Sequence, residues 1–152
     1  MTLPMFREFE CDCERCSMMC QAPCCGTPQE MQAIIDAGMG DRLMFDGYPD
    51  GNAALLKPAL KGYEGEFAPY ETASREGCTF WVKGKCQLHD KGLKPVLGRL
   101  AYHDSVISDY DTAVPYVNES WDTDEADKLI EEWQERHLDD RTLNFLNYTL
   151  GF

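Results

Sequence analysis

Six of the chain's eight cysteines fall within residues 11–25, CDCERCSMMCQAPCC. No other stretch restricts the fold so tightly, because thiols at this density call for cross-linking, redox chemistry or a metal. The remaining two, Cys78 and Cys86, lie far downstream in GCTFWVKGKCQLHD. An even count suits the disulfide framework of a small secreted domain. However, residues 26–77 and 87–152 carry no cysteine, and bridges confined to one short segment close tiny loops that constrain little of the unfolded chain. A redox reading rests on Cys13-x-x-Cys16. It expects a buried strand just before the motif, and MFREFECD is a poor one. It also leaves four neighbouring thiols unexplained. Metal ligation accounts for all of them, since soft thiolates suit zinc, iron and iron–sulfur clusters. The candidate ligands are Cys11, Cys13, Cys16, Cys20, Cys24, Cys25, Cys78 and Cys86.

Spacing adds detail. Cys13, Cys16 and Cys20 stand at i, i+3 and i+7, which share one face of a helix. Pro23 stops any such helix near Gln21, and a loop ending at Gly26 then delivers Cys24 and Cys25. Adjacent side chains point in different directions, so one cysteine of the doublet can complete a first site while its neighbour serves a second. Downstream, Thr79 to Val82 reads as a strand, KGK as a tight turn and Cys86 to His89 as the returning strand. Two thiols on such a hairpin make half of a tetrahedral site, as in zinc ribbons. His89, three residues after Cys86, and His103 in GRLAYHDS are further candidates, with a structural role favoured for each.

The other elements follow from local signals. Thr27 to Glu30, TPQE, is a capping box with Pro28 at the first helical position. It predicts a helix to about Ala37 with Gly38 as its C-terminal cap and a buried stripe of Met31, Ile34 and Ile35. Starting directly after the cysteines, that helix would turn its positive end toward the thiolates. Residues 39–77 are rich in turn formers, with short strands expected at Leu43 to Phe45 and Ala53 to Leu56. DTDEADKLIEEWQERHL is the clearest helix. Its capping signal is Asp122 with Glu125, and Ala126, Leu129, Ile130, Trp133 and His137 line one face, with His137 as a partly buried packing residue. The closing LNFLNYTLGF is expected to be a short helix packed on the core.

A net charge of −13 disfavours nucleic acid, whose binding requires basic residues against phosphate, and equally a polybasic membrane patch. No run approaches the roughly 20 apolar residues of a membrane span, and the start MTLPMFREFECDCERC lacks the basic-then-apolar pattern of a secretory signal. The expected setting is the cytoplasm, where thiols stay reduced. No serine or cysteine triad is arguable from spacing, and no phosphate-binding G-x-x-x-x-G-K-[ST] loop is present.

A cysteine cluster, a variable centre and then a C-x-F-…-G-x-C-x-[LI]-[HY]-…-[RK]-P-…-R pattern resemble the CxxCxxCC (YkgJ-type) cysteine-cluster family, described as a zinc- or iron-chelating domain. The matching pieces are Cys13-x-x-Cys16, the Cys24-Cys25 doublet, GCTFWVKGKCQLHD and LKPVLGR, between about residues 9 and 103. Two departures stand out. The family's doublet usually follows the C-x-x-C at once, whereas Met19-Cys20 occupies that place here. The family also tends to carry a cysteine after its Arg-Pro. Gly98 stands there in this chain, and Cys11 is an extra thiol. Some relatives are described as flagellin lysine methylases, but this chain shows no recognisable S-adenosylmethionine site.

The expectation is one small irregular α+β domain over residues 1–152, with a hairpin and about three or four helices around a cysteine-ligated metal centre. Zinc as a structural ion is the first reading. An iron–sulfur protein with a redox or protein-modification role, using iron or a [4Fe–4S] cluster, is the alternative. A metal-braced surface for a protein partner is the third.

Overall fold

The computed structural model describes residues 6, 13–18, 22–47, 54–68, 77–101 and 109–138. Helix α1, Glu14–Met18, holds Cys16, with Cys13 just before its first turn. Cys11, Cys20, His103 and LNFLNYTLGF lie outside the described residues, as does the expected end of the first helix near Gln21.

Helix α2, Pro28–Ile34, opens on the expected capping box. Thr27 Oγ1 accepts from the Glu30 N–H, and the Glu30 carboxylate accepts from the Thr27 N–H. The helix widens into a π-type turn, Ile35–Met39, and breaks at Gly38, whose φ of 84° ordinary side chains rarely adopt. Met31 and Ile34 are fully buried, and Ile35 packs at the margin.

Strands β1, Leu43–Asp46, and β2, Leu55–Pro58, pair antiparallel, with Leu43 opposite Pro58 and Asp46 opposite Leu55. Nearly every residue of both strands is buried, so the polar alternation of a half-exposed sheet is missing. The one cation among them, Lys57, pairs with Asp46 at 2.7 Å, diagonally across the two strands.

The chain after β2 fixes the second hairpin. Lys61 N–H donates to the Gly77 carbonyl and Thr79 N–H to the Ala59 carbonyl, which clamps Cys78 against Leu60. Strands β3, Trp81–Val82, and β4, Lys85–Cys86, follow around Lys83 and Gly84. Both turn residues have positive φ, 52° and 76°, the two-residue turn whose twist suits a hairpin. The expected strands were longer. Thr79 and Phe80 form a turn closed by Trp81 N–H on the Cys78 carbonyl, so among the described residues the returning chain has no strand partner beyond Gln87. It coils instead into α3, Gln87–Asp90.

Helix α4, Val96–Leu100, and α5, Tyr110–Ser120, complete the middle of the chain. The six described α-helices exceed the three or four expected, because α1, α3 and α4 are each five residues or shorter. Helix α5 carries Pro115 in its interior, a residue that normally argues against helix. Helix α6, Asp124–His137, matches the clearest sequence signal, but its cap is Thr123, whose hydroxyl accepts from the Ala126 N–H, rather than Asp122. Ala126, Leu129, Ile130 and Trp133 are buried, and His137 is half-buried against the Trp133 ring at 4.9 Å. One core joins α2, the β1–β2 pair, Cys78, Phe80 and Leu88 with α4, α5 and α6. The described fold is therefore mixed helix and strand with two small antiparallel pairs. No described helix is long and apolar enough to cross a membrane.

Candidate metal centre

The Cys24–Cys25 loop is seated by α4. Leu97 N–H donates to the Cys25 carbonyl at 3.2 Å, and the Trp121 indole N–H donates to the Gly26 carbonyl at 2.8 Å. Glu30 reaches across the same junction. Its carboxylate accepts from the Val96 N–H at 3.1 Å and from Arg99 at 2.7 Å, in addition to Thr27. A buried carboxylate with these partners locks the loop, the start of α2 and the start of α4 together.

Within that frame Cys24, Cys78 and Cys86 border one small cavity of about 10 Å³, together with Trp81, Leu88, Lys94 and Pro95. Cys24 arrives from the N-terminal cluster, Cys78 from the bridge to Leu60, and Cys86 from β4. Cys25 turns elsewhere. It packs against the core beside Lys57 and Asp46, so the doublet does split its two side chains between different surroundings.

Burial keeps these thiols protonated. Burial pushes the Cys24 thiol up to about 12, against the pull of the Lys94 ammonium, with Cys78, Cys86 and Cys25 adding to the rise. Burial likewise raises Cys78 to about 11, while the Phe80 N–H bonded to its sulfur, Arg42 and Lys61 act in the opposite sense. Cys25 is also raised by burial, with Lys57 opposing. Four of the 14 basic residues thus stand near these thiols in a chain that has 27 acidic ones. Thiols raised in this way are poor nucleophiles, which speaks against a thiol-catalyst role for Cys24 and Cys78.

Cys16 is buried on α1 and Cys13 is half-buried beside it. None of the six described cysteines is in a disulfide. His89 is exposed on α3 and does not border the thiol cavity. Among the described residues no three His, Cys, Asp or Glu side chains form a ready-made ligand cage, so the three thiols share a cavity without the close spacing of a formed site.

The sequence did not single out Trp81, Lys94, Lys61 or Arg42. For Trp81 a signal existed. A two-residue turn at Lys83-Gly84 pairs Val82 with Lys85 and therefore Trp81 with Cys86. For the three cations, which reach the thiols from separate segments, the sequence held no local signal.

Comparison with protein-family models, with curated proteins and with solved structures finds no match to this chain.

Proposed function

We propose that the chain is a metal-binding protein whose thiolate-ligated zinc ion holds the fold together. Cys24, Cys78 and Cys86 are the inner ligands, and a thiol of the N-terminal cluster is the fourth. The observation that carries this reading is the meeting of three thiols from two distant segments at one small cavity. Zinc takes four ligands in a closed tetrahedron in structural sites, and thiolates are its commonest donors there. The fit is one of donor chemistry. Soft donors, the Phe80 N–H on the Cys78 sulfur and the nearby ammonium of Lys94 all favour a thiolate unit of net negative charge.

When bound, the ion supplies a cross-link between the N-terminal segment and the hairpin. The protein's part is to hold the thiols in place and to surround them with positive charge. Metal analysis and an absorption spectrum of anaerobically purified protein test the reading. A colourless protein with stoichiometric zinc is expected. A brown protein with inorganic sulfide would replace zinc by an iron–sulfur cluster, and a protein without metal that takes up none would end both.

A further inference from the structure

The chain has three tryptophans, and two of their indole N–H groups are satisfied in the same way. Trp121 donates to the Gly26 carbonyl and Trp133 to the Gly40 carbonyl, each at 2.8 Å. The third, the Nε1–H of Trp81, is buried and has no acceptor among the described residues. Leaving a buried donor unpaired is costly, so an orphan of this kind calls for an explanation.

Its surroundings supply one. Trp81 borders the cavity that Cys24, Cys78 and Cys86 share. It also stands directly opposite Cys86 in the hairpin. Val82 and Lys85 flank the two-residue turn, and Gln87 N–H donates to the Phe80 carbonyl at 2.8 Å. The intervening Trp81–Cys86 pair is therefore of the non-hydrogen-bonded kind, in which facing side chains lie closest. The Lys61 ammonium sits 5.9 Å from the centre of the Trp81 ring and draws electron density toward itself. That polarises the indole and strengthens its N–H as a donor. A neutral thiol is a weak acceptor, whereas a thiolate is a strong one.

We infer that Trp81 is a positioning residue for the metal centre, its indole N–H donating to a ligand sulfur, that of Cys86 or a neighbour, once the thiols ionise on metal binding. The inference rests on the metal-binding reading above. Without the ion the N–H is unpaired among the described residues. With the ion bound the N–H completes the hydrogen bonding of a thiolate, as partners beyond the ligands commonly do.

The test uses the full chain, with zinc or cadmium as the probe. Indole N–H resonances are followed by nitrogen-15 NMR during titration, and Trp81 is assigned by its loss in Trp81→Phe. The Trp81 resonance is expected to move downfield and exchange more slowly with solvent, while those of Trp121 and Trp133 move less. Trp81→Phe keeps most of the apolar ring and is expected to bind zinc on the order of tenfold more weakly. A Trp81 resonance that stays put while zinc binds overturns the inference and leaves the metal reading standing, as does an unchanged affinity in Trp81→Phe. Failure of the unmodified chain to bind either ion overturns both. The resonance is read on unmodified protein, so a misfolded variant does not blunt the test.

Discussion

A methyl group placed on Gly98 would stand 2.9 Å from the sulfur of Cys24 and 3.0 Å from its Cβ, closer than side-chain carbons pack. Helix α4 therefore meets the cysteine loop through the absence of a side chain. In an open helix Gly→Ala gains about 1 kcal/mol. Here overpacking should outweigh that gain, and Gly98→Ala is expected to lower stability by about 1 kcal/mol or more. A thermal melt at or above the wild-type midpoint would mean that the loop does not seat on α4 as described.

Glu30 is the second support of the loop, 5% exposed and bonded to Thr27, Val96 and Arg99. Removing one partner of a buried ion pair strands the other, at a cost of about 3–5 kcal/mol. Glu30→Ala should approach that loss in urea unfolding. Glu30→Gln keeps one oxygen acceptor and should lose less. Equal losses in the two variants would show that the charge on Glu30 contributes nothing.

Complete removal of metal should loosen the domain. Structural zinc contributes on the order of 10 kcal/mol in small folds, and the described strands here are only two to four residues long. Far-UV circular dichroism and melting temperature should both fall on chelation and recover on adding zinc. A melt that ignores the chelator would rule out a structural ion.

Single substitutions separate the thiols. Cys78→Ser and Cys86→Ser should each lower metal content, and Cys86→Ser should also release the N-terminal segment to proteolysis. Cys25→Ser should retain the ion of the three-thiol cavity, because Cys25 sits beside Lys57 and Asp46 instead. Unchanged metal stoichiometry in both Cys78→Ser and Cys86→Ser would confine the ligands to residues 11–25.

His137 gives a pH dependence away from the thiols. Burial lowers its pKa below the ordinary 6.5; Asp41 opposes this shift, and Arg136 adds to it. The folded chain therefore holds the proton less tightly than the unfolded one. The contribution of His137 to stability is fully present above 6.5 and is lost as pH falls through the depressed value. A proton NMR titration of the ring should give a midpoint under 6.5, and Arg136→Gln should move it upward. A midpoint above 6.5 would contradict the packing of the ring on Trp133.

The sequence by itself determined the features that neighbouring residues control. Thr27, Pro28 and Glu30 announced the start of α2, and Gly38 the break in the π-type turn that follows it, because a cap and a positive φ are local requirements. The period of Ala126, Leu129, Ile130 and Trp133 drew the buried face of α6, and KGK marked the hairpin turn, although Lys85 already belongs to β4. Local reading failed where backbone partners lay elsewhere. Residues after Cys86 form α3 because no described strand remains to pair with them, and α5 forms around Pro115 with Ala113 and Val117 buried in the core.

The hairpin spacing paired Cys78 with Cys86, but nothing in the N-terminal cluster said which of its cysteines would join them. Only the tertiary structure brought Cys24, Cys78 and Cys86 to one cavity and turned Cys25 toward Lys57 and Asp46. It also carried Glu30 to Val96 and Arg99, and left the Trp81 indole N–H without an acceptor among the described residues. Each of these depends on segments far apart in the chain. Their meeting is set by burial of a shared core and by bridging hydrogen bonds such as Leu97 to Cys25 and Lys61 to Gly77, which leave no signature in residue spacing.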